Sequence, residues 1–170
     1  GAQVDLDTQM VRLPGDIIEA ALKVVPREFT YGGHSGRKDL TVPHPGGSFY
    51  TLINTGSRNY LDSETNNFHP LTLANMAEWA QLCEAVDEMD CCSINTPRDV
   101  PDETCDIHAL KTVFENTTKH VILQPFSFKS VKYLFEMAVT AAGGKEEFRK
   151  HPLISPFVPF NSPLLLADYN

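Results

Sequence analysis

Six histidines and four cysteines are the residues of this 170-residue chain best equipped for metal binding or nucleophilic chemistry, and their spacing gives them neither role. His34, His44, His69, His108, His120 and His151 lie far apart. No two share the i, i+4 spacing that lets paired imidazoles grip a zinc ion, and none pairs locally with a carboxylate in a metalloprotease pattern. No metal site is therefore expected. Cys83, Cys91, Cys92 and Cys105 contain no C-x-x-C pair, and Cys91-Cys92 sit inside an apolar run. Strand geometry would send those two side chains to opposite faces, and all four read as buried, reduced thiols. A serine nucleophile would want a Gly-x-Ser-x-Gly elbow; Gly33-His34-Ser35-Gly36 is one residue short and sits on no strand–helix turn. The same glycines precede no helix, and no Gly-x-x-x-x-Gly-Lys-Ser/Thr motif occurs, so no nucleotide site is expected.

The chemistry that remains depends on position. Short apolar runs at Met89–Asn95, His120–Phe126 and Leu153–Asn161 read as strands, and Thr104–Asn116 and Phe128–Ala142 read as the helices that follow the first two. Strands alternating with helices predict parallel βαβ units, whose ligands bind at the carboxyl ends of the strands. Those ends carry Ser93, Asn95 and Thr96, then Gln124 and Phe126, then Phe160, Asn161 and Ser162. Ser93, Asn95, Gln124, Phe126, Phe160 and Asn161 are the candidate substrate-binding residues. The set holds amides, hydroxyls and aromatic rings but no acid or base, so it can bind and orient without transferring protons. Aromatic faces also attract cations, quaternary ammonium groups included. Each Asn or Ser can equally serve as a turn or helix cap. No catalytic residue is assigned.

Other elements must hold these ends in place. Pro14–Val25 reads as a helix with Pro14 at its first position and an apolar face of Ile17, Ile18, Ala21, Leu22 and Val25. Phe29–Pro70 is irregular, rich in Gly, Pro, Asn, Ser and Thr, and too long for an ordinary connection. Within it, Ser48–Asn54 and Arg58–Asp62 could pair as a hairpin around Gly56. Thr72 caps a helix running to about Met89, with Leu73, Met76, Ala77, Ala80, Cys83 and Val86 as its buried stripe. Ile107, Leu110, Val113 and Phe114 face inward from the next helix. Ser127 caps the one after, Gly143-Gly144 stops it, and Lys145–Lys150 adds a short turn.

Composition bounds the rest. With 42% hydrophobic and 21% charged residues the chain can bury a core. A net charge of −8, with Arg37-Lys38 and Arg149-Lys150 as the densest basic groups, argues against nucleic acid. No apolar run approaches the roughly 20 residues that span a bilayer. No signal peptide opens the sequence, and the expected location is the cytoplasm.

Several segments carry a family resemblance. They are Tyr60-Leu61-Asp62 through Phe68-His69-Pro70-Leu71-Thr72-Leu73-Ala74-Asn75, Asp99-Val100-Pro101, Asp106-Ile107-His108-Ala109-Leu110, Asn116-Thr117-Thr118-Lys119-His120, Ala141-Ala142-Gly143-Gly144, Pro152-Leu153-Ile154-Ser155 and Asn161-Ser162-Pro163-Leu164. In order and spacing they resemble the trimethylamine methyltransferase family from Val11 onward. The resemblance implies an α/β fold that is part of a (β/α)8 TIM barrel. Such a barrel typically needs about 250 residues and eight strands. The chain would supply its first three strands, preceded by a helix and a β-hairpin/loop decoration. Residues 1–71 would form the helix and irregular layer, and 72–170 the first βα units of an incomplete barrel.

The resemblance further implies transfer of a methyl group from a methylated amine, of the trimethylamine or glycine betaine type, to a corrinoid (cobalamin) held by a partner protein. No cofactor would bind this chain directly. The full-length protein would be a homo-oligomer, and the 170-residue piece alone inactive. The pyrrolysine implicated in the trimethylamine enzymes would lie beyond Asn170. Two rival readings stay open: a small non-catalytic α/β ligand- or partner-binding module, and a different (β/α)8 enzyme with acid–base residues in its second half.

Overall fold

Four small sheets and five α-helices order the residues described by the computed structural model, 1–53, 56–158 and 163–164. They fall into two units, one of 1–28 with the stretch from 158 onward, the other of 29–157. In the first, β1 (Gln3–Asp5) pairs antiparallel with β2 (Met10–Arg12), and α1 spans Gly15–Val24. The helix foreseen from Pro14 forms, but no residue of it is buried, and Ile18, Leu22 and Val25 stay exposed. Helical spacing made α1 amphipathic, but spacing alone cannot supply a surface for its apolar side.

The second unit opens with two hairpins that the sequence reading did not place. β3 (Phe29–Tyr31) pairs with β4 (Leu40–Val42), and β5 (Asn59–Leu61) with β6 (Phe68–Pro70). The expected pairing of Ser48–Asn54 with Arg58–Asp62 does not form in the described residues; Asn54 and Thr55 lie outside them. Instead, Asp62 turns the chain by accepting from the N–H groups of Glu64 (2.8 Å) and Thr65 (3.0 Å), and Asn66 takes a left-handed φ of 57°. That local turn fixes the register of β5 with β6. The 51–53 segment is drawn elsewhere. Leu52 bridges Cys91 in parallel, Thr51 N–H donates to Asp90 Oδ2 at 2.7 Å, and Asp90 N–H returns a bond to Thr51 Oγ1 at 3.1 Å.

The core follows the predicted alternation. α2 (Leu73–Ala85) leads to β7 (Cys91–Ser93); a 3-10 turn (Asp102–Thr104) opens α3 (Cys105–Asn116) before β8 (His120–Leu123); α4 (Phe128–Ala141) and α5 (Lys145–Lys150) precede β9 (Ile154–Pro156). The three strands are parallel, in the order β7-β8-β9. Thr72 and Ser127 both cap as expected, each accepting from the N–H three residues on. The φ of +86° at Gly143, which a side chain would strain, ends α4. α2 stops short of Met89: Val86–Asp90 must turn back toward β7, and Lys119 Nζ takes the carbonyls of Cys83 (2.5 Å) and Val86 (2.7 Å).

One face of the sheet (Cys92, Val121, Leu123, Ile154) packs on Met76, Ala80 and Cys83 of α2, Leu110 and Val113 of α3, and Leu134 and Ala138 of α4. Each large apolar side chain buried there contributes roughly 1.5–3 kcal/mol. The other face carries Cys91, Ser93, His120, Ile122 and Ser155 in register. All four cysteines are free and buried, and Cys91 and Cys92 do take opposite faces. Among the described residues no helix is long and apolar enough to cross a membrane.

Glu84 closes the end of the sheet where the strands begin. Its carboxylate accepts from Arg37 Nη2 (2.6 Å), Thr117 Oγ1 (2.7 Å), Thr118 N (2.9 Å) and Thr118 Oγ1 (2.9 Å). Burial alone would raise its pKa, but the bonds from Thr117, Thr118 and Arg37 outweigh it and hold the carboxyl at about 2. A folded-state pKa below the unfolded value means stability that is present above pH 4.5 and lost as pH falls toward about 2. The carboxylate keeps 31% of its exposure, so solvent screening limits the effect to the order of 1 kcal/mol. Glu84→Gln should therefore lose part of the wild-type acid limb in urea unfolding across that window, and be less stable at neutral pH by about 1–3 kcal/mol. Asp90→Ala should cost a similar roughly 1–3 kcal/mol and speed hydrogen exchange at the Thr51 amide; unchanged exchange there would show that the bridge to Cys91 suffices.

Candidate functional site

The carboxyl ends of β7, β8 and β9 form a rim whose residues divide into those that hold neighbours and those that face outward. Ser93 is fully buried and its Oγ donates to the Ile53 carbonyl at 3.2 Å. Asn95, also buried, accepts from the Ser57 amide through Oδ1 at 2.8 Å, while Thr96 N donates to Ser57 O at 2.9 Å. These two candidates thus hold Ile53 and Ser57 beside β7. Gln124 is exposed, and Phe126 keeps 37% of its surface. Phe160 and Asn161 lie outside the described residues.

Three residues of this rim escaped the sequence reading. Phe157 donates its N–H to the Leu123 carbonyl at 2.7 Å, which sets it beside the end of β8 with half its surface open. Phe128, at the start of α4, is 86% exposed. Both are aromatic and follow a strand closely, a signal that could have found them. The third is Asp106, buried in the first turn of α3, which accepts from its neighbour Ile107 N (2.9 Å) and from Phe126 N (3.0 Å). The rim therefore exposes an amide and aromatic rings. Such a surface can hold a cation against ring faces and keep it dry.

The second face of the sheet is polar but chemically quiet. The His120 ring stacks on Tyr31 with centroids 4.1 Å apart. Its Nδ1 lies 3.3 Å from the Gly32 carbonyl, so Nδ1 carries the proton and Nε2 accepts from Ser155 Oγ at 2.9 Å. Burial drives the imidazole down to about 4, against the raising effect of the Gly32 and Pro152 carbonyls, so it is neutral at physiological pH and a weak base. Burial also pushes the Tyr31 hydroxyl up.

A cleft of about 490 Å³ lies at the opposite end from the rim, lined in part by Gly33, Arg37, Asp39, Glu147 and His151. Three of its polar side chains are engaged: Asp39 joins His151 Nδ1 (2.6 Å) to the Gly33 amide (3.0 Å), and Arg37 is held by Glu84. The chain packs closely here, since a Cβ on Gly32 would come within 2.5 Å of the His151 backbone. Among the described residues no three His, Cys, Asp or Glu side chains converge to hold a metal ion.

Comparison with known proteins places this geometry. A family model described as trimethylamine methyltransferase (MTTB) matches residues 1–169. Trimethylamine methyltransferase MttB of Desulfitobacterium hafniense is 28% identical over 171 residues, covering 99% of this chain and 34% of the relative. The MttB of Methanosarcina thermophila is 30% identical over 174 residues, covering 98% and 35%, and that of Methanosarcina barkeri is 29% identical, covering 98% and 34%. The chain thus spans about a third of the length of the relatives it matches. With the match running over residues 1–169, the chain belongs to the trimethylamine methyltransferase family.

Proposed function

We propose that this chain is part of a (β/α)8 methyltransferase that moves a methyl group from a methylated amine, of the trimethylamine or glycine betaine type, to a corrinoid carried by a partner protein. The observation that carries this reading is the family match over residues 1–169. The order β7-β8-β9 in parallel, with helices on one face and a polar second face, supports the first part of such a barrel. So do the amide and aromatic rings that the described part of the rim exposes. A quaternary ammonium, or a trimethylamine that keeps its proton as trimethylammonium, needs no proton removed before its methyl is attacked, because a neutral amine leaves. The reduced corrinoid supplies the attacking electron pair when the partner docks. The residues of this chain have the quieter tasks of binding the cation, orienting it and excluding water. Phe126, Phe128 and Phe157 present the ring faces, and Gln124 an amide. Ser93 and Asn95 act by holding Ile53 and Ser57. A cytoplasmic, homo-oligomeric full-length protein fits this proposal.

The test is methyl transfer by the full-length protein with trimethylamine or glycine betaine and its reduced corrinoid partner, followed by the absorbance change of corrinoid methylation. The expected outcome is amine-dependent methylation. The 170-residue chain alone should give none, because five of a barrel's eight strands would be missing from the rim. Phe126→Ala in the full-length protein should weaken amine use by about 1–2 kcal/mol, or roughly five- to thirtyfold in kcat/KM. Failure of every methylated amine to serve as donor would overturn the proposal.

A further inference from the structure

We infer that Asp106 is a positioning residue that sets where Phe126 stands on the rim; this rests on the proposed amine site and deepens it. An acidic residue in the first turn of a helix is an ordinary N-terminal preference. Such a residue can do its work at the surface. Asp106 is instead 1% exposed, and burying a carboxylate is costly unless its oxygens are matched by donors. One oxygen takes the adjacent Ile107 N–H at 2.9 Å. The other leaves its own helix and takes the N–H of Phe126, 20 residues on, at 3.0 Å. Phe126 lies between the end of β8 and the start of α4.

The loop that results has little slack. On one side, Leu123 closes β8, and its carbonyl is held by Phe157 N at 2.7 Å. On the other, Ser127 and Ser130 cap α4 reciprocally, with Ser130 N to Ser127 Oγ at 3.1 Å. Asp106 clamps the residue between these fixed points. Its contact is to the backbone, so the ring of Phe126 stays free to face a ligand while its Cα is fixed. Charge-assisted bonds to a buried acceptor are among the stronger ones available for this purpose. Asp99 offers a control. It too accepts a backbone N–H, that of Leu73 at 3.0 Å, but it is exposed and the N–H it holds belongs to α2.

The experiment compares Asp106→Asn with Asp99→Asn in the full-length protein, measuring KM and kcat for the methylated amine and hydrogen exchange across 124–127. Asn keeps one acceptor oxygen but turns the other position into a donor that faces an N–H. Asp106→Asn should raise KM for the amine about tenfold, leave kcat within about twofold and speed exchange at the Phe126 amide. Asp99→Asn should change neither KM nor that exchange. A merely structural role would lower the folded fraction, and hence apparent kcat, at constant KM. An unchanged KM in active Asp106→Asn enzyme overturns the inference, whatever the exchange shows. If the wild-type protein uses no methylated amine, the proposed function falls instead. Exchange then decides the positioning claim: faster in Asp106→Asn alone supports it, and equal rates overturn it. Should Asp106→Asn fold poorly, Asp106→Glu, which keeps the charge and shifts its reach, is judged by the same criteria.

Discussion

The carboxylate of Glu84 is the point on which the second unit turns. It sits near the end of α2 and receives four hydrogen bonds from two other parts of the chain: one from Arg37 in the β3–β4 loop, three from Thr117 and Thr118 between α3 and β8. Helix, loop and strand approach are therefore fixed to one another by a single side chain. The neighbouring Lys119 adds a second tie from the same turn, taking the last carbonyls of α2. Parallel strands leave their connections without ladder partners, and buried backbone groups must find acceptors and donors elsewhere. Around Glu84 that need is met by charge. The close approach of Gly32 to His151, and of His34 N to the Thr118 carbonyl at 2.8 Å, follows from it.

The two ends of the sheet are built differently. Where the strands begin, the Arg37–Glu84 and His151–Asp39 pairs and a stacked Tyr31–His120 pair fill the space. Where the strands end, side-chain oxygens of α3 and of the connection from β7 hold backbone N–H groups of neighbouring segments: Asn95 holds Ser57, and Asp106 holds Phe126. Using side-chain oxygens on backbone donors leaves Gln124, Phe126, Phe128 and Phe157 with exposed side chains. A rigid frame with open aromatic groups suits binding and orientation, where a small misplacement is costly.

Much of this was legible in particular residues. Thr72 and Ser127 announced helix starts, Gly143-Gly144 a stop, and the apolar runs from Met89, His120 and Leu153 the three parallel strands, because capping and periodicity depend on near neighbours. The hairpin around Gly56 was misplaced because other contacts competed with its local turn signal. The turn at Asp62–Asn66 and the pull of Asp90 on Thr51 together outweighed it, and the second of these lies 39 residues away in sequence. Asn95 had the residue type of a ligand contact, yet its oxygen holds Ser57. Residue type says what a group can bond; the nearest donor decides what it does bond.

The sequence by itself determined the order of helices and strands, their caps, the absence of a nucleotide or zinc motif, and the family to which the chain is similar. These rest on local chemistry and on order along the chain. Only the tertiary structure decided which polar side chains were left to face outward. Burial and pairing across tens of residues turned Ser93 and Asn95 inward as supports and gave Asp106 its hold on Phe126, because those outcomes depend on distances between segments that no local pattern encodes.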